Sequence, residues 1–558
     1  MPSDHEYDVI VIGSGFGGSV TALRLSEKGY RVGVLEAGKR FTAEDFPKTN
    51  WDARRFLWAP RLRMFGILRM TLLSDVLALS GAGVGGGSLV YANTLYRPHD
   101  AFYRDPQWGD VADWERELAP FYDIAERMLG VVDARADTPA DDVMRRVARH
   151  FDVEHTFQPT RIGVFLGEPG VEVPDPYFAG AGPRRAGCTE TGGCMIGCRF
   201  NAKNTLDKNY LYLAEQLGAV IHPDTQVVDV AARGDGRYRI ATRKPGTKTS
   251  AGGFVAGDVV FSAGSLGTTR LLLELADRGR LPHISTRLGH QVRTNSEVIL
   301  GATADTANVD YSRGVAITSS IHPEPRTHIE PVRYPKGSSA MGLLATILTD
   351  GDPPRSRALL YLRNLIRHPI RFVRSLSVYR WAERSVILLV MQSYDNSLRL
   401  SLEQRRGRTR LKSTQENGKP APTYIPIANE AARVAARAMN GEPMSTINEV
   451  ALDTPTSAHV LGGAVVGGSP ESGVVDPYHR MYGHPGVHVV DGAAVGANLG
   501  VNPALTITAM AERAMAMWPN KGGDDPRPSL GGGFRSVDPV RPETPAVPPS
   551  VLGTDPWR

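Results

Sequence analysis

Tyr7-Asp-Val-Ile-Val-Ile-Gly-Ser-Gly-Phe-Gly-Gly18 is the stretch that decides the fold. Residues 7–12 form an apolar run without alternation, as expected of a strand buried on both faces of a parallel sheet. The glycines that follow keep the spacing Gly13-x-Gly15-x-x-Gly18. From Ser19 to Lys28 the apolar residues Val20, Leu23 and Leu25 fall at helical spacing. Gly29 ends that helix, and Arg31–Leu35 reads as a second strand, which completes one βαβ unit. In such a unit Gly13 permits the tight turn, Gly15 lets the backbone approach a pyrophosphate, and Gly18 lets helix and strand pack closely. The helix N-terminus turns its amides and positive dipole end toward the phosphates. Glu36 stands at the end of the second strand, where an acidic side chain binds ribose hydroxyls.

The fingerprint alone does not separate NAD from FAD; its company does. Its position near the N-terminus and the following Glu36-Ala37-Gly38 favour FAD. So does a second glycine-rich segment, Gly81-Ala-Gly-Val-Gly-Gly-Gly-Ser88, placed to lie against an isoalloxazine or its ribitol. A flexible linker is the other reading, but Leu89, Val90 and Tyr91 follow directly. Residues 257–264 form another buried strand ending in a glycine turn, with a helical pattern from Thr268 to Leu275. Residues 487–491 are a third such strand, and Asn502–Met517 reads as a helix begun near Pro503. Residues 113–129 have the pattern of an amphipathic helix.

With 558 residues the chain suits two or more domains woven from discontinuous segments. Apolar residues at 41% and charged residues at 22% are ordinary for a globular enzyme. The net charge of +5 is spread along the chain, with no compact basic block, which argues against a nucleic-acid partner. No signal-peptide pattern and no run of about 18 apolar residues is evident, so a cytoplasmic location is expected, with peripheral membrane contact open.

Val11–Ala37, Gly83–Pro98, Gly257–Leu273, His459–Gly463 and Val490–Glu512 together resemble the glucose–methanol–choline (GMC) oxidoreductase family, and within it the bacterial cholesterol oxidase branch. The resemblance runs from about residue 7 to about residue 518. It implies a mixed α/β fold: a Rossmann-like FAD-binding domain beside a substrate domain built on an antiparallel sheet covered by helices. The FAD-binding domain is then expected in segments 5–40, 205–298 and 471–520, and the substrate domain in 41–204 and 299–470. Residues 521–558 form a Pro/Gly-rich tail, largely unstructured or an extended strap. The implied cofactor contacts are Gly13, Gly15, Phe16, Gly17, Gly18, Glu36 and Ala37, then Gly83, Gly85, Gly86, Ser88, Tyr91, Ala92, Asn93 and Thr94. Val228, in the Thr225–Val228 strand, falls on the adenine side. Ala263, Gly264, Asp491, Gly492, Asn502 and Pro503 complete the set.

Oxidising an alcohol by hydride transfer requires that the carbinol hydrogen face flavin N5, that the hydroxyl be held, and that its proton leave. A histidine and an asparagine suit that work. By resemblance, His459 in Ala-His-Val-Leu-Gly-Gly and Asn502 in Gly-Val-Asn-Pro are the family's active-site pair. Val460 departs from the proline common in the branch. Of the 14 histidines, most, such as His99, His283 and His484, are expected at the surface or in loops. Glu330 falls where cholesterol oxidases keep a buried carboxylate that moves a proton during isomerisation of a Δ5-3-ketosteroid. The other reading makes it a strand-end residue in a surface ion pair with Arg326 or Arg333. The implied substrate is a bulky apolar secondary alcohol, with a 3β-hydroxysterol foremost, and the acceptor is oxygen or another electron acceptor. The alternatives are a flavin dehydrogenase acting on another lipid or terpenoid alcohol, a flavin-bound isomerase using Glu330, and a non-catalytic flavoprotein.

Cys188, Cys194 and Cys198 are the only cysteines. Their spacing resembles an iron–sulfur loop short of one ligand, and unligated thiols shaping a compact loop are the favoured reading; no metal site is expected. Residues 54–72 and 355–381 mix arginine with large apolar side chains. They suit either an anionic membrane interface or two surface helices with their apolar sides packed inward.

Overall fold

The computed structural model describes residues 5–352, 355–405, 407–416 and 420–553. One sheet runs in the order Val220–His222, Val32–Leu35, His5–Ile12, Ser250–Phe261, with Val487–Val489 paired to the end of Ser250–Phe261. All these pairings are parallel. An antiparallel hairpin, Gln226–Ala232 with Tyr238–Arg243, extends the sheet from the other half of Ser250–Phe261. Val9, Ile10 and Val11 are fully buried, as a doubly covered strand requires. The predicted helices at 19–28, 113–129, 268–275 and 502–517 are Phe16–Glu27, Trp114–Met128, Ser265–Asp277 and Ala504–Ala516.

Close backbone packing seats the first helix. A Cβ on Gly17 would meet the Val490 carbonyl oxygen at 1.7 Å, and one on Gly18 the Gly13 carbonyl oxygen at 2.0 Å. Helix Phe16–Glu27 also packs on Ala504–Ala516, where buried Arg24 donates to Glu512 at 2.7 Å and to Glu27 at 2.8 Å. The Tyr210 hydroxyl donates to the same Glu512 at 2.6 Å. Such buried pairs add little net stability because desolvation offsets attraction, but breaking one is costly, so they hold the two helices in register.

The second sheet is antiparallel throughout. Its order is Ala345–Ile347, Gly441–Thr446, Val298–Ala304, Ser385–Gln392, Thr327–Val332, Ser319–Glu324, Gln158–Pro159. Alternation along each strand gives it two faces. On one face Leu300, Ala302, Leu388, Val390 and Ile329 pack beneath helices Pro139–His150 and Pro426–Met439. Ala428, Ala431, Ala432 and Ala435 let the second helix lie close to the sheet. The opposite face carries Ile299, Ile387, Leu389, Met391 and Glu330. The expected fold class, a Rossmann-like unit with a helix-covered antiparallel sheet, is the one observed.

Several local expectations change. Residues 54–72 are not a helix: only Ala53–Phe56 is helical, Trp58–Ala59 pairs with Met64–Phe65, and Leu68–Leu72 pairs with Leu77–Gly81. Residues 355–381 do contain two helices, Arg357–Arg367 and Pro369–Ser375, separated where Pro369 follows His368. Their apolar residues divide: Tyr361, Leu365 and Phe372 pack inward with Ile347 and Val450, while Leu359, Leu362, Ile366, Ile370, Val373 and Leu376 are exposed. His484 is buried. The tail is a strap over its described length. The Val540 N–H donates to the Ala516 carbonyl, the Thr544 N–H donates to the Glu27 carbonyl, and Val547 and Leu552 are buried. Residues 554–558 lie outside the described residues.

Candidate active site

Two glycine-rich loops meet at the C-terminal edge of the parallel sheet. Gly13 has φ +103°, and its position leaves no room for a side chain against Ser262. A Cβ on Gly15, in contrast, would meet nothing within 4 Å. Glu36 braces this turn. It accepts from the Ser14 N–H at 3.1 Å, the Ser14 hydroxyl at 2.7 Å and the Gly38 N–H at 2.8 Å. The Gly83–Gly86 loop folds onto the first one: the Gly85 N–H donates to Ser14 Oγ at 3.1 Å, and a Cβ on Gly86 would lie 2.7 Å from Gly15 Cα. Phe16 and Tyr91 meet edge to face at 5.5 Å.

Other expected cofactor residues divide into two groups. Ser88 and Tyr91 are spent on the protein. Ser88 Oγ donates to the Gly85 carbonyl and accepts from the Leu206 N–H, and the Tyr91 hydroxyl donates to the Asn204 carbonyl. Ala37 is half-buried, and Ala92 packs against Ile317, Val332 and Met391. Asn93, at φ +68°, and Thr94 are buried beside them. Thr94 Oγ1 has no protein partner. Val228 sits at an irregularity in its strand, and its carbonyl accepts from Arg278 at 2.9 Å. Ala263 and Gly264 turn the Ser250–Phe261 strand into the next helix, and the Gly264 Cβ position is open. Asp491 accepts from the Gly264 N–H at 2.9 Å, Thr268 at 2.6 Å and the Ala493 N–H at 2.8 Å. Burial pushes its carboxyl up to about 6, against those donors. Gly492 lies beneath Leu461, and Pro503 begins helix Ala504–Ala516.

At the far end of this cleft His459, Asn502 and Glu330 converge. The Asn502 side-chain amide donates to Glu330 Oε2 at 3.3 Å, while its Oδ1 is buried without a protein partner. Glu330 is fully buried, and His328 Nε2 lies 3.0 Å from its Oε1. Neither Arg326 nor Arg333 pairs with it: Arg333 is turned to Thr138 and Thr318, so the surface ion pair is ruled out. Burial pushes Glu330 up to about 8, with the His459 imidazole and the Asn502 amide pulling the other way. His459 Nδ1 is hydrogen-bonded to Glu297 Oε1, and the Ala458 N–H donates to Glu297 Oε2 at 2.9 Å. Burial alone would lower the His459 pKa. The Glu297 carboxylate outweighs it and raises the imidazole above its ordinary value.

The segment Arg293–Glu297 joins these groups. Asn295 donates to the Val501 carbonyl at 3.0 Å and accepts from the Gly500 N–H at 2.8 Å, which fixes the turn before Asn502. Ser457 Oγ donates to the Thr294 carbonyl at 2.9 Å, which fixes the turn before His459. Asn295 and Ser296 both have left-handed φ, +60° and +47°. Strain of that kind costs about 1–3 kcal/mol per residue and persists only where the surroundings over-determine it.

Comparison with known proteins agrees with this geometry. Residues 408–511 match the GMC oxidoreductase model, and residues 11–60 match the NAD(P)-binding Rossmann-like domain. The chain is 51% identical to a cholesterol oxidase of Mycobacterium tuberculosis, over 99% of this chain and 98% of that protein. It is 46% identical to a cholesterol oxidase of Acinetobacter baumannii, over 93% and 95%. The chain belongs to the GMC oxidoreductase family. It is thus an FAD-dependent alcohol oxidoreductase of that family's bacterial cholesterol oxidase branch. Among solved structures it resembles pyridoxine 4-oxidase from Mesorbium loti, at TM-score 0.57 and 15% identity over 91% of this chain and 98% of that one, a likeness of fold.

The GMC fold also gathers residues that no motif marks. Glu297 lies within a polar run, Arg293-Thr-Asn-Ser-Glu297, all five residues of which are buried. His99, His322 and His328 stand behind Glu330. Only the polarity of the 293–297 run, directly before the apolar strand Val298–Ala304, could have drawn attention to it. Cys188, Cys194 and Cys198 are free thiols.

Proposed function

We propose that this enzyme oxidises the 3β-hydroxyl of a sterol, with oxygen as the acceptor. The observation carrying this reading is the apolar sheet face set against the catalytic groups. Ile299, Ile387, Leu389 and Val332 surround Glu330 on the side turned away from the covering helices. A rigid, apolar ring system suits such a surface, and a small polar alcohol does not.

The cleft fits FAD. The open Gly15 and Gly264 positions leave room beside the backbone, and the buried unbonded Thr94 Oγ1 and Asn502 Oδ1 require polar partners. Residues 13–18 would hold the pyrophosphate at the helix N-terminus, Glu36 and Ala37 the adenosine ribose, and Val228 the adenine. Gly83–Thr94, Ala263–Gly264, Asp491–Gly492 and Asn502–Pro503 would lie along the flavin half. When bound, FAD accepts the hydride lost from the carbinol carbon.

The protein's own part is proton handling and positioning. Glu297 holds His459 Nδ1–H, which directs the lone pair of Nε2 toward the substrate hydroxyl. His459 takes the hydroxyl proton as the carbon–hydrogen bond breaks. The Asn502 amide donates to the same oxygen and fixes its angle. Glu330, deep in the apolar face beside Asn502, is placed to carry a proton between ring carbons once the ketone has formed, shifting a neighbouring double bond. The exposed apolar faces of Arg357–Arg367 and Pro369–Ser375, rich in arginine, would rest on an anionic membrane from which a lipid substrate enters.

Anaerobic mixing with a panel of hydroxysteroids and terpenoid alcohols tests the reading. Bleaching of the flavin absorbance by 3β-hydroxysterols, with peroxide formed on admitting air, is expected. Bleaching by terpenoid alcohols alone would overturn the substrate, and reduction without peroxide under air would overturn the acceptor.

A further inference from the structure

Behind the catalytic carboxylate, three imidazoles converge. His322 and His328 lie on the two strands of one hairpin, Ser319–Glu324 and Thr327–Val332, and His99 begins the short helix Asp100–Tyr103. One ring nitrogen from each lies within 4.8 Å of the others. His328 Nδ1 and His322 Nε2 are 3.2 Å apart. Two nitrogens bound to one tetrahedral zinc at about 2.0–2.1 Å stand about 3.3–3.4 Å apart, so this pair is already at chelating distance.

From this geometry we propose that His99, His322 and His328 bind a divalent transition metal of the zinc, copper or nickel class. The donors are imidazoles alone, which suits those ions and not magnesium or calcium. His328 is oriented for the task, because its Nε2 faces Glu330 at 3.0 Å and leaves Nδ1 for the ion. A carboxylate behind a ligating histidine is the usual outer support of such sites. Two ligands come from a rigid hairpin, which holds their spacing. His328 is buried, while His99 and His322 are half-exposed, which gives the ion an entry path and leaves a fourth position for water. The neighbouring Tyr96 hydroxyl is engaged with Ser320 Oγ at 2.7 Å and is not a ligand. The ion would sit on the side of His328 away from Asn502, so occupancy would fix the His328 ring and, through it, Glu330.

Isothermal titration of the FAD-loaded enzyme with zinc chloride, without substrate, tests the site. One-to-one binding is expected for wild type, none with magnesium chloride, and affinity weaker by about tenfold or more in H99A and in H322A. Retained flavin absorbance and an unchanged Tm establish that each variant is folded, and H322Q provides a second variant should H322A fail to fold. Absence of one-to-one zinc binding in wild type overturns the proposal. So does binding that survives both histidine variants undiminished, which would place the zinc on the thiols of Cys188, Cys194 and Cys198. Because no turnover is measured, the outcome is independent of the sterol reading.

Discussion

Glu297 and His459 are 162 residues apart in the chain, yet the carboxylate of one holds the imidazole Nδ1 of the other. This bond orients the ring and raises its affinity for a proton. The reaction needs His459 neutral to accept the hydroxyl proton, so kcat/KM falls toward acid through the raised His459 pKa. Replacing Glu297 with Gln removes that charge and leaves burial opposed only by the weaker pull of Glu330, which lowers the His459 pKa. The acid limb of the kcat/KM profile of E297Q is therefore expected to move to lower pH than in wild type, alongside a lower plateau. A limb that stays in place would separate Glu297 from His459 function.

His459→Ala is expected to retain FAD and lose turnover by about 10²- to 10⁴-fold, the usual contribution of a positioned acid–base group. Flavin absorbance at full stoichiometry together with steady-state rates on a sterol checks both halves. Unchanged turnover would remove His459 from the mechanism.

Two glycines of the first loop, Gly15 and Gly17, should fail in different ways. Gly15 has an ordinary φ of −73°, and its Cβ position meets no protein atom. G15A should fold with a near-native apoprotein Tm but bind FAD poorly, because the added methyl enters the cofactor's space. In G17A the methyl meets the Val490 carbonyl oxygen at 1.7 Å, so the helix must move off the sheet and the Tm itself should fall. Flavin-to-protein absorbance ratios and thermal melts separate the two.

Glu449, 1% exposed, accepts from the Ile299 N–H at 3.0 Å, and burial pushes its carboxyl up to about 8. A group raised in the folded state stabilises fully below its unfolded pKa, near 4.5, and loses that contribution as pH rises toward about 8. Between those limits Tm should decline more in wild type than in E449Q, which keeps the oxygen acceptor without the charge. Parallel Tm–pH curves for the two proteins would contradict this.

The exposed apolar faces of Arg357–Arg367 and Pro369–Ser375 predict sedimentation with anionic vesicles at low salt, weakened as salt screens the arginines. The variant L362S/I366S/I370S should lose most of that binding while keeping its activity on detergent-dispersed sterol. No binding by wild type at low salt would end the membrane proposal.

The βαβ core of the first sheet was legible because its instructions are local. Unalternating strands, the Gly13–Gly18 turn and Glu36 each act within a few residues of themselves, and the βαβ unit leaves them one arrangement. His459 and Asn502 could be named only through motifs resembling those of the GMC family. Their partners were not legible. Asn295 and Glu297 matter because they are buried at the junction of loops distant in sequence, and polarity in a linear chain cannot announce burial. For Glu330 the chain left a surface ion pair and a buried carboxylate equally open. Strand alternation put the side chain on the face away from the covering helices, and that decided between them. Within residues 355–381, Tyr361, Leu365 and Phe372 pack inward while Leu359, Leu362 and Ile366 stay in solvent, because a helical period specifies which side is apolar and not what lies against it. The convergence of His99, His322 and His328 is tertiary in the same sense: a hairpin register and a loop entry bring together rings whose spacing in sequence spells nothing.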